Sequence, residues 1–444
     1  MTPIRKDAGF DSTLGLLAQG YAFISRRCGE LHTDVFEPRL MLRRVLCAVG
    51  ADAAAMFYTP GRFTRRQAMP PTALRLLQDL GSVQLLDDDA HRRRKQMFMA
   101  LMSPEYRRRL ARLFEEHWQR RIGVWTDAGD VVLQHEVEQL LCAAVCQWAG
   151  LALPADVVRE RAHEFAAMID GAGAVGPRSW KGWLLRRRTE AWARGIIGDL
   201  RAGRLRLHAG SPALALAAYR EADGLLLDPD VAAVELLNLL RPTVAMARYV
   251  TFAALALHRY PECRQRLQTG DDEYLQWFVQ EVRRFYPFFP AVGGRARVAF
   301  DWRGTRIAAG TWVVLDLYGT NHDRRIWGDP QVFRPERFSG WDGSAFNFIP
   351  QGGGEFDLDH RCAGEWLTIR LLKTAVQLLT QAMDYDVPQQ DLCIDLARMP
   401  ALPRSGFVIR HVRRSPETQQ WLSQLRQQAA AACGKPNSAS ENGA

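Results

Sequence analysis

Apolar residues recur every three to four positions over residues 103–267, which predicts a mostly helical stretch; Leu110, Leu113, Phe114 and Trp118 form its clearest stripe. The most apolar helix is expected to start at Asp228-Pro229, an acid at the N-cap followed by proline at the first helical position. Asn238 and the pair Arg241-Pro242 interrupt its apolar run. The helical period continues over residues 273–286. Earlier, residues 10–60 mix short helical and strand patterns, and residues 39–48 are apolar enough for one buried strand. The period changes to two over residues 300–316, where 301–305 and 311–315 read as the two arms of a hairpin of β-branched and aromatic residues. A Gly-rich loop at 351–354 precedes a long helix expected over 363–383. Helices come first, a little sheet late, then one more core helix. There is no internal repeat and no interdomain linker. This order predicts a mainly α protein with small β-sheets (an α+β fold) in one domain, residues 1–414. Residues 415–444 form an extension: a Gln/Ala-rich surface helix over 415–432, then a stretch with the composition of a disordered tail.

Composition narrows the picture. Of 444 residues 47% are hydrophobic, which excludes a largely disordered chain. Lysine and arginine exceed aspartate and glutamate by 58 to 49, so nucleic acid, an anionic membrane or an acidic ligand come into question as partners. The start is charged and lacks the apolar core of a secretory signal. The longest apolar candidate, residues 231–258, carries Glu235, Asn238, Arg241, Pro242 and Arg248, too many polar breaks for a membrane span. The eight cysteines are irregularly spaced and read as reduced thiols of a soluble, cytoplasmic protein.

One cysteine stands apart. Cys362 follows Gln351-Gly-Gly-Gly354 and is flanked by His360, Arg361 and Gly364. The glycines let a loop lie against a flat ligand, and neighbouring cations together with the following helix's N-terminus favour a thiolate. Such a cluster suits a nucleophilic thiol, a metal or a haem iron. The plain alternative is a core cysteine in a surface loop.

Two further motifs decide between these. Glu281 and Arg284 lie at i and i+3, and Phe333-Arg-Pro-Glu-Arg-Phe338 follows before Cys362. Glu-x-x-Arg, a PERF segment and Cys-x-Gly at the head of a long helix, in this order, resemble the cytochrome P450 superfamily. The resemblance implies a haem b held between a long central distal helix and a proximal loop. It makes Cys362 the thiolate ligand of the iron and Glu281, Arg284 and Arg337 a structural triad. The usual loop has Phe seven and Gly four residues before the cysteine; here these are Glu355 and Leu358, with the triple glycine placed earlier. In this the chain looks like the hydrogen-peroxide-using fatty-acid peroxygenases, a group of bacterial fatty-acid hydroxylases and alkene-forming decarboxylases. The likeness runs from the Gly20–Ile24 segment to the Leu396–Pro400 segment and stops near Arg414.

Within that resemblance Arg241-Pro242 stands where ordinary monooxygenases carry an acid–alcohol pair for proton delivery. Splitting a peroxide O–O bond needs a general acid–base group. Arg241 can hold a fatty-acid carboxylate, which then supplies that group itself and brings the substrate's α and β carbons nearest the oxidant. The plain alternative is a kinked helix with Arg241 paired to a protein carboxylate or snorkelling to solvent. Gln84 occupies the position that is Gln in the family's typical hydroxylases and His in its best-known decarboxylase. The resemblance further implies haem-propionate contacts from His91, Lys95, Arg65 and His360, and a pocket position for Phe288. Where the family shows Phe-Gly, this chain has Gln78-Asp79.

The expected function is therefore peroxide-dependent hydroxylation of free fatty acids at the α or β carbon, with no redox partner required. The alternative at the same site is oxidative decarboxylation to terminal alkenes, which the segments 285–290 and 346–351 resemble more closely. A reductase-dependent monooxygenase is disfavoured by the missing acid–alcohol pair. A haem sensor would have no use for a pocket arginine. Nucleic-acid binding rests only on the basic runs at 92–95, 107–109 and 186–188, which are expected to be solvated faces.

Overall fold

The computed structural model describes residues 4–7, 9–79 and 81–416. The extension predicted from 415 onward lies outside them except for its first two residues. Helices dominate the middle of the chain, and the largest core gathers apolar residues from Leu76 to Val412 around them.

The centre of this core is the Pro229–Ala245 helix. It starts as expected: the Asp228 carboxylate accepts hydrogen bonds from the Asp230 and Val231 amides at 2.8 and 3.4 Å, and Pro229 fills the first turn where no donor is needed. Residues 232–241 are all buried. Pro242, whose ring cannot donate to the preceding turn, does not break the helix, which ends three residues later; a second helix, Ala247–Arg259, follows. The hydroxyl of Thr243 donates to the Leu239 carbonyl at 3.3 Å, one turn back.

The main sheet has six strands in the order Arg5–Lys6, Val35–Glu37, Leu46–Val49, Trp312–Asp316, Ala291–Ala296 and Phe63–Thr64. Two strand expectations need correction here. Residues 39–48 are not one strand: Arg39–Leu40 and Arg43–Arg44 pair as a tight hairpin, and only Leu46–Val49 continues into the buried sheet. The turn is forced by Met41 and Leu42, both in the left-handed region with φ of 53° and 62°. Likewise Phe300–Trp302 pairs with Thr305–Ile307, but Trp312–Asp316 crosses into the main sheet between Leu46–Val49 and Ala291–Ala296. Its residues Val313 and Leu315 are fully buried, and that burial outweighs local hairpin pairing. The helix expected over 363–383 is α-helical over Glu365–Gln377, widens into a π turn at Leu378–Ala382, and then turns into the strand Met383–Asp386.

Among the described residues no helix is long and apolar enough to cross a membrane.

Candidate active site

Cys362 precedes the Glu365–Gln377 helix by three residues and keeps some accessible surface although it sits deep in the protein. Burial pushes its thiol above the ordinary range; the Gly364 amide, Lys95 and Arg283 act in the opposite direction. The cations nearest in sequence play a different part from the one expected. Arg361 turns away to pair with Glu365 at 2.6 Å, and His360 stacks on His91 with ring centres 3.9 Å apart. Arg283, which sequence reasoning passed over, is fully buried and reaches Glu365 at 2.6 Å and the Gln351 amide oxygen at 3.1 Å. Gln351 in turn points its NH2 group at the Cys362 sulfur, 3.7 Å away, and at the Thr368 hydroxyl, 3.1 Å away. The loop glycines are required by geometry: Gly352 and Gly354 have φ of 93° and 84°, and a Cβ on Gly353 would lie 2.7 Å from the Ala345 carbonyl.

On another side of the loop, Arg65, His91, Lys95 and His360 converge, all from chemistry expected of propionate partners. Burial lowers the affinity of each for a proton. His91 falls to about 4 and Lys95 to about 8, with the neighbouring cations pressing further on His91. Burial also takes His360 well below its usual range and lowers Arg65. Lys95 donates to the carbonyls of Asp359 and Arg361, and Arg65 to that of Gly293 at 2.8 Å. None of the four forms an ion pair with a carboxylate among the described residues. Four basic groups brought together, none of them ion-paired among the described residues, fit an anionic ligand. The thiol beside them fits an iron ligand. Pro242 adds a third mark: it alone is exposed within a stretch of the central helix that is buried on both sides, so it faces a space no described protein group fills. These residues fit a haem: Cys362 would hold its iron, and Arg65, His91, Lys95 and His360 would meet its propionates.

Arg241 is buried and fully charged chemistry without an opposing charge. Its guanidinium donates to the carbonyls of Leu76, at 3.0 Å, and Leu77, and to the Asn238 side-chain oxygen at 3.3 Å. The two carbonyls end the Pro71–Leu77 helix, where the helix dipole is negative. Nearby Arg186 shares the Leu76 carbonyl at 3.0 Å, but is neutralised by Glu190 at 2.6 Å and Asp79 at 3.4 Å. Arg241 pairs with no carboxylate among the described residues, contrary to the plain expectation for a buried arginine. Burial and the Arg186 charge lower it to about 9. One hydrogen on Nη1 and the hydrogen on Nε remain without a protein acceptor among the described residues.

A polar chain ties Arg241 to Gln84. Asn238 donates from its NH2 group to Glu235 at 3.0 Å and to the Gln84 side-chain oxygen at 3.4 Å. Glu235, completely buried, also accepts from the Val83 amide at 2.7 Å and from Arg94 at 2.8 Å. Arg94 reaches on to Glu221, half-exposed at the surface. Glu235 and Asn238 were legible only as breaks in an apolar run, yet each is spaced three residues from the next, with Arg241 following, so neighbouring members of the chain meet along the helix. The basic runs are not simply solvated: Arg92 and Arg93 are exposed, but Arg94, Lys95 and Arg186 are buried and paired or bonded as described. Phe288 is half-buried and stacks on Tyr249 at 4.1 Å, while its carbonyl accepts from the Tyr21 hydroxyl at 2.7 Å.

Behind the cysteine loop, Glu281 accepts from Arg284 at 2.7 and 2.8 Å, from Arg337 at 3.1 Å and from the Arg334 amide at 2.8 Å. The three residues expected to form a triad are brought together and buried.

A family model for Cytochrome P450 matches residues 259–409. Curated relatives match in part: "Dimethylnonatriene synthase" of Arabidopsis thaliana is 33% identical over 29% of this chain and 25% of its own length. "Cytochrome P450 4A7" of Oryctolagus cuniculus is 29% identical over 36% and 34%. The chain thus spans only about a quarter to a third of those relatives. Solved structures match throughout. Cytochrome P450SP alpha (CYP152B1), in complex with (R)-ibuprophen, is 52% identical over 91% of this chain and 99% of that chain, with a TM-score of 0.89. The chain belongs to the cytochrome P450 family. Two more P450 structures support the same placement: Cytochrome P450EX alpha (CYP152N1) with myristic acid, 40% identical over 94% and 100% at a TM-score of 0.90, and a variant of cytochrome P450 OleT in complex with arachidonic acid, 34% identical over 93% and 99% at 0.90. The mainly helical architecture with small sheets, expected from the order of elements, is the P450 fold that the motif resemblance implied.

Proposed function

We propose that the protein is a haem-thiolate peroxygenase that uses hydrogen peroxide to hydroxylate free fatty acids at the α or β carbon. The observation that carries this reading is Arg241: a buried cation, held by backbone carbonyls and one amide, with two donors unspent and no carboxylate paired to it among the described residues. A buried charge without a partner is costly, and a ligand carboxylate relieves that cost by a charge-assisted, two-donor contact. The relatives with myristic and arachidonic acid carry ligands of this class.

Haem b, when bound through Cys362, supplies a thiolate-backed iron that cleaves the O–O bond of peroxide. The remaining work belongs to the chain and the substrate. Arg241 fixes the fatty-acid carboxylate, and Asn238 fixes Arg241. The carboxylate takes a proton from one peroxide oxygen and returns it to the other, so that water leaves and the remaining oxygen ends in the substrate's C–H bond, giving one alcohol and one water per peroxide. Asn238 occupies the Gln84 oxygen, which leaves the Gln84 NH2 group as a donor for a ligand. Gln84 cannot supply a proton as His could, which favours hydroxylation. Alkene-forming decarboxylation at the same site is the second reading, favoured by segments 285–290 and 346–351. No redox partner is needed because peroxide brings both oxygen and oxidising equivalents.

The test is a reaction of purified holo-protein with hydrogen peroxide and a series of saturated fatty acids, with products resolved by mass spectrometry. Hydroxy acids are expected. Terminal alkenes as the main product favour the second reading, and no product at any chain length rejects both.

A further inference from the structure

Arg241 pairs with no carboxylate among the described residues, yet two acids stand beside the helix end that holds it. That end belongs to the Pro71–Leu77 helix, whose last carbonyls have no partner within the helix. The Leu76 oxygen accepts from Nη1 of Arg241 and from Nη1 of Arg186, both at 3.0 Å, so two guanidinium groups meet on one atom. Arg186 comes from the Pro177–Arg201 helix and is 2% exposed. Its Nε donates to Glu190, one turn further along, at 2.6 Å, and its Nη2 lies 3.4 Å from Asp79. Asp79 follows by two residues Leu77, whose carbonyl Arg241 also takes. It has φ of 70°, the left-handed turn after a helix that glycine ordinarily fills, and its amide donates to the Leu74 carbonyl at 2.8 Å. An aspartate enters that conformation at some cost, and here it sets a carboxylate against Arg186.

Opposite charges attract strongly where water is scarce, so a buried arginine ordinarily turns to any acid within reach. Arg186 engages both Asp79 and Glu190. Burial holds the Glu190 carboxyl above its ordinary range; Arg186 draws it down, and Asp79 beside it pushes it up again. Two acids are thus crowded onto one cation while a second cation, on the same carbonyl, has none. The pattern recurs on the central helix itself, where the buried Glu235, six residues before Arg241, is taken by Arg94 at 2.8 Å.

We propose that Arg186 is a positioning residue that keeps Arg241 available: by engaging Asp79 and Glu190 it prevents them from neutralising Arg241, whose unused donors then take a ligand carboxylate. The shared Leu76 carbonyl fixes Arg186 where it both holds the helix end and sets a like charge next to Arg241. Burial and then the Arg186 charge lower Arg241, and an anionic ligand relieves that repulsion. The consequence for ligand binding rests on the function proposed above; the pairing of Arg241 does not.

A double-mutant cycle on the ligand-free, full-length holo-protein tests the pairing, read by the midpoint of thermal unfolding. One edge of the cycle is Arg241→Met, and the other is Asp79→Gly together with Glu190→Gln, glycine being suited to the left-handed turn. No stabilising coupling is expected in the wild-type background. In the Arg186→Met background a stabilising coupling is expected, and Arg186→Lys, which retains the charge, is expected to abolish it. Should Arg186→Met fail to fold, Arg186→Gln, which can still donate to the Leu76 carbonyl, takes its place. Peroxide-driven kinetics test the consequence. Arg186→Met is expected to raise the KM for a fatty acid about tenfold with kcat little changed, and the added Asp79→Gly and Glu190→Gln to restore KM, a rescue that lost packing would not show. Absence of coupling in the Arg186→Met background overturns the proposal, as does the same coupling already in the wild type. So does a KM that is unchanged, or raised and not restored by removing the two acids. A wild-type protein that turns over no fatty acid overturns the function proposed above instead, and the cycle then decides this inference by itself.

Discussion

Replacing Glu235 by Gln removes one charge and one acceptor from the buried chain behind Arg241 while conserving volume. In the native arrangement three donors converge on the carboxylate: the Val83 amide and Arg94 on one oxygen, at 2.7 and 2.8 Å, and the Asn238 NH2 group on the other, at 3.0 Å. Gln can keep an oxygen for the first two only by turning its own NH2 toward that of Asn238. Asn238 then has to rotate its amide, and its NH2 group comes to face the Arg241 guanidinium in place of the oxygen now 3.3 Å away. Two effects follow. Breaking a buried ion pair by neutralising one partner costs about 3–5 kcal/mol; the lower end applies because Arg94 keeps Glu221. Loss of the bond that orients Arg241 is worth about 1.5 kcal/mol, the low end for a bond to a charged group at that length. The second figure corresponds to about a tenfold fall in kcat/KM for a fatty acid. Thermal unfolding of the holo-protein and peroxide-driven kinetics read the two effects separately. Destabilisation with native kcat/KM would refute the positioning role of Asn238, and native stability would refute the buried pair.

Other perturbations follow from the same geometry. Arg241→Ala is expected to abolish peroxide-driven fatty-acid turnover while haem stays bound, as judged by its absorption spectrum. Burial lowers Arg241 to about 9, so the sign is fixed: fatty-acid affinity is expected to be full at neutral pH and to weaken as the pH rises above that value, measurable by spectral titration. Glu281→Gln leaves Arg284 and Arg337 buried without their shared acid and is expected to cost about 3–5 kcal/mol, read by denaturant unfolding. Lys95→Ala together with Arg65→Ala removes two of the four groups expected at the propionates and should speed haem transfer to apomyoglobin, with the secondary structure unchanged by circular dichroism.

Much of this architecture can be read in the residue pattern, because helical periodicity and capping are local. The Asp228-Pro229 start of the central helix is such a case, and so is the meeting of Glu281, Arg284 and Arg337, whose motifs are distinctive. The misassigned parts depend on partners distant in sequence. Trp312–Asp316 leaves its local hairpin because burial between two other strands is worth more, and nothing within residues 300–316 reports those strands. Arg94 and Arg186 look solvated in basic runs, and only the fold brings Glu235 and Glu190 to them. Cys362 was identifiable from its loop, but its electrostatic partners were not: Arg283 and Lys95 act on the sulfur, while the adjacent Arg361 is taken by Glu365. Sequence adjacency does not reveal where a long side chain ends.

The central claim is that the substrate carboxylate, held by Arg241, completes the acid–base machinery. It is tested most directly by comparing a saturated fatty acid with the primary alcohol of the same chain length, in peroxide-driven reactions of the wild-type protein and of Arg241→Ala. The account predicts hydroxylated product from the acid with the wild-type protein only, and none from the alcohol with either. Comparable turnover of the alcohol by the wild-type protein, or of the acid by Arg241→Ala, would contradict it.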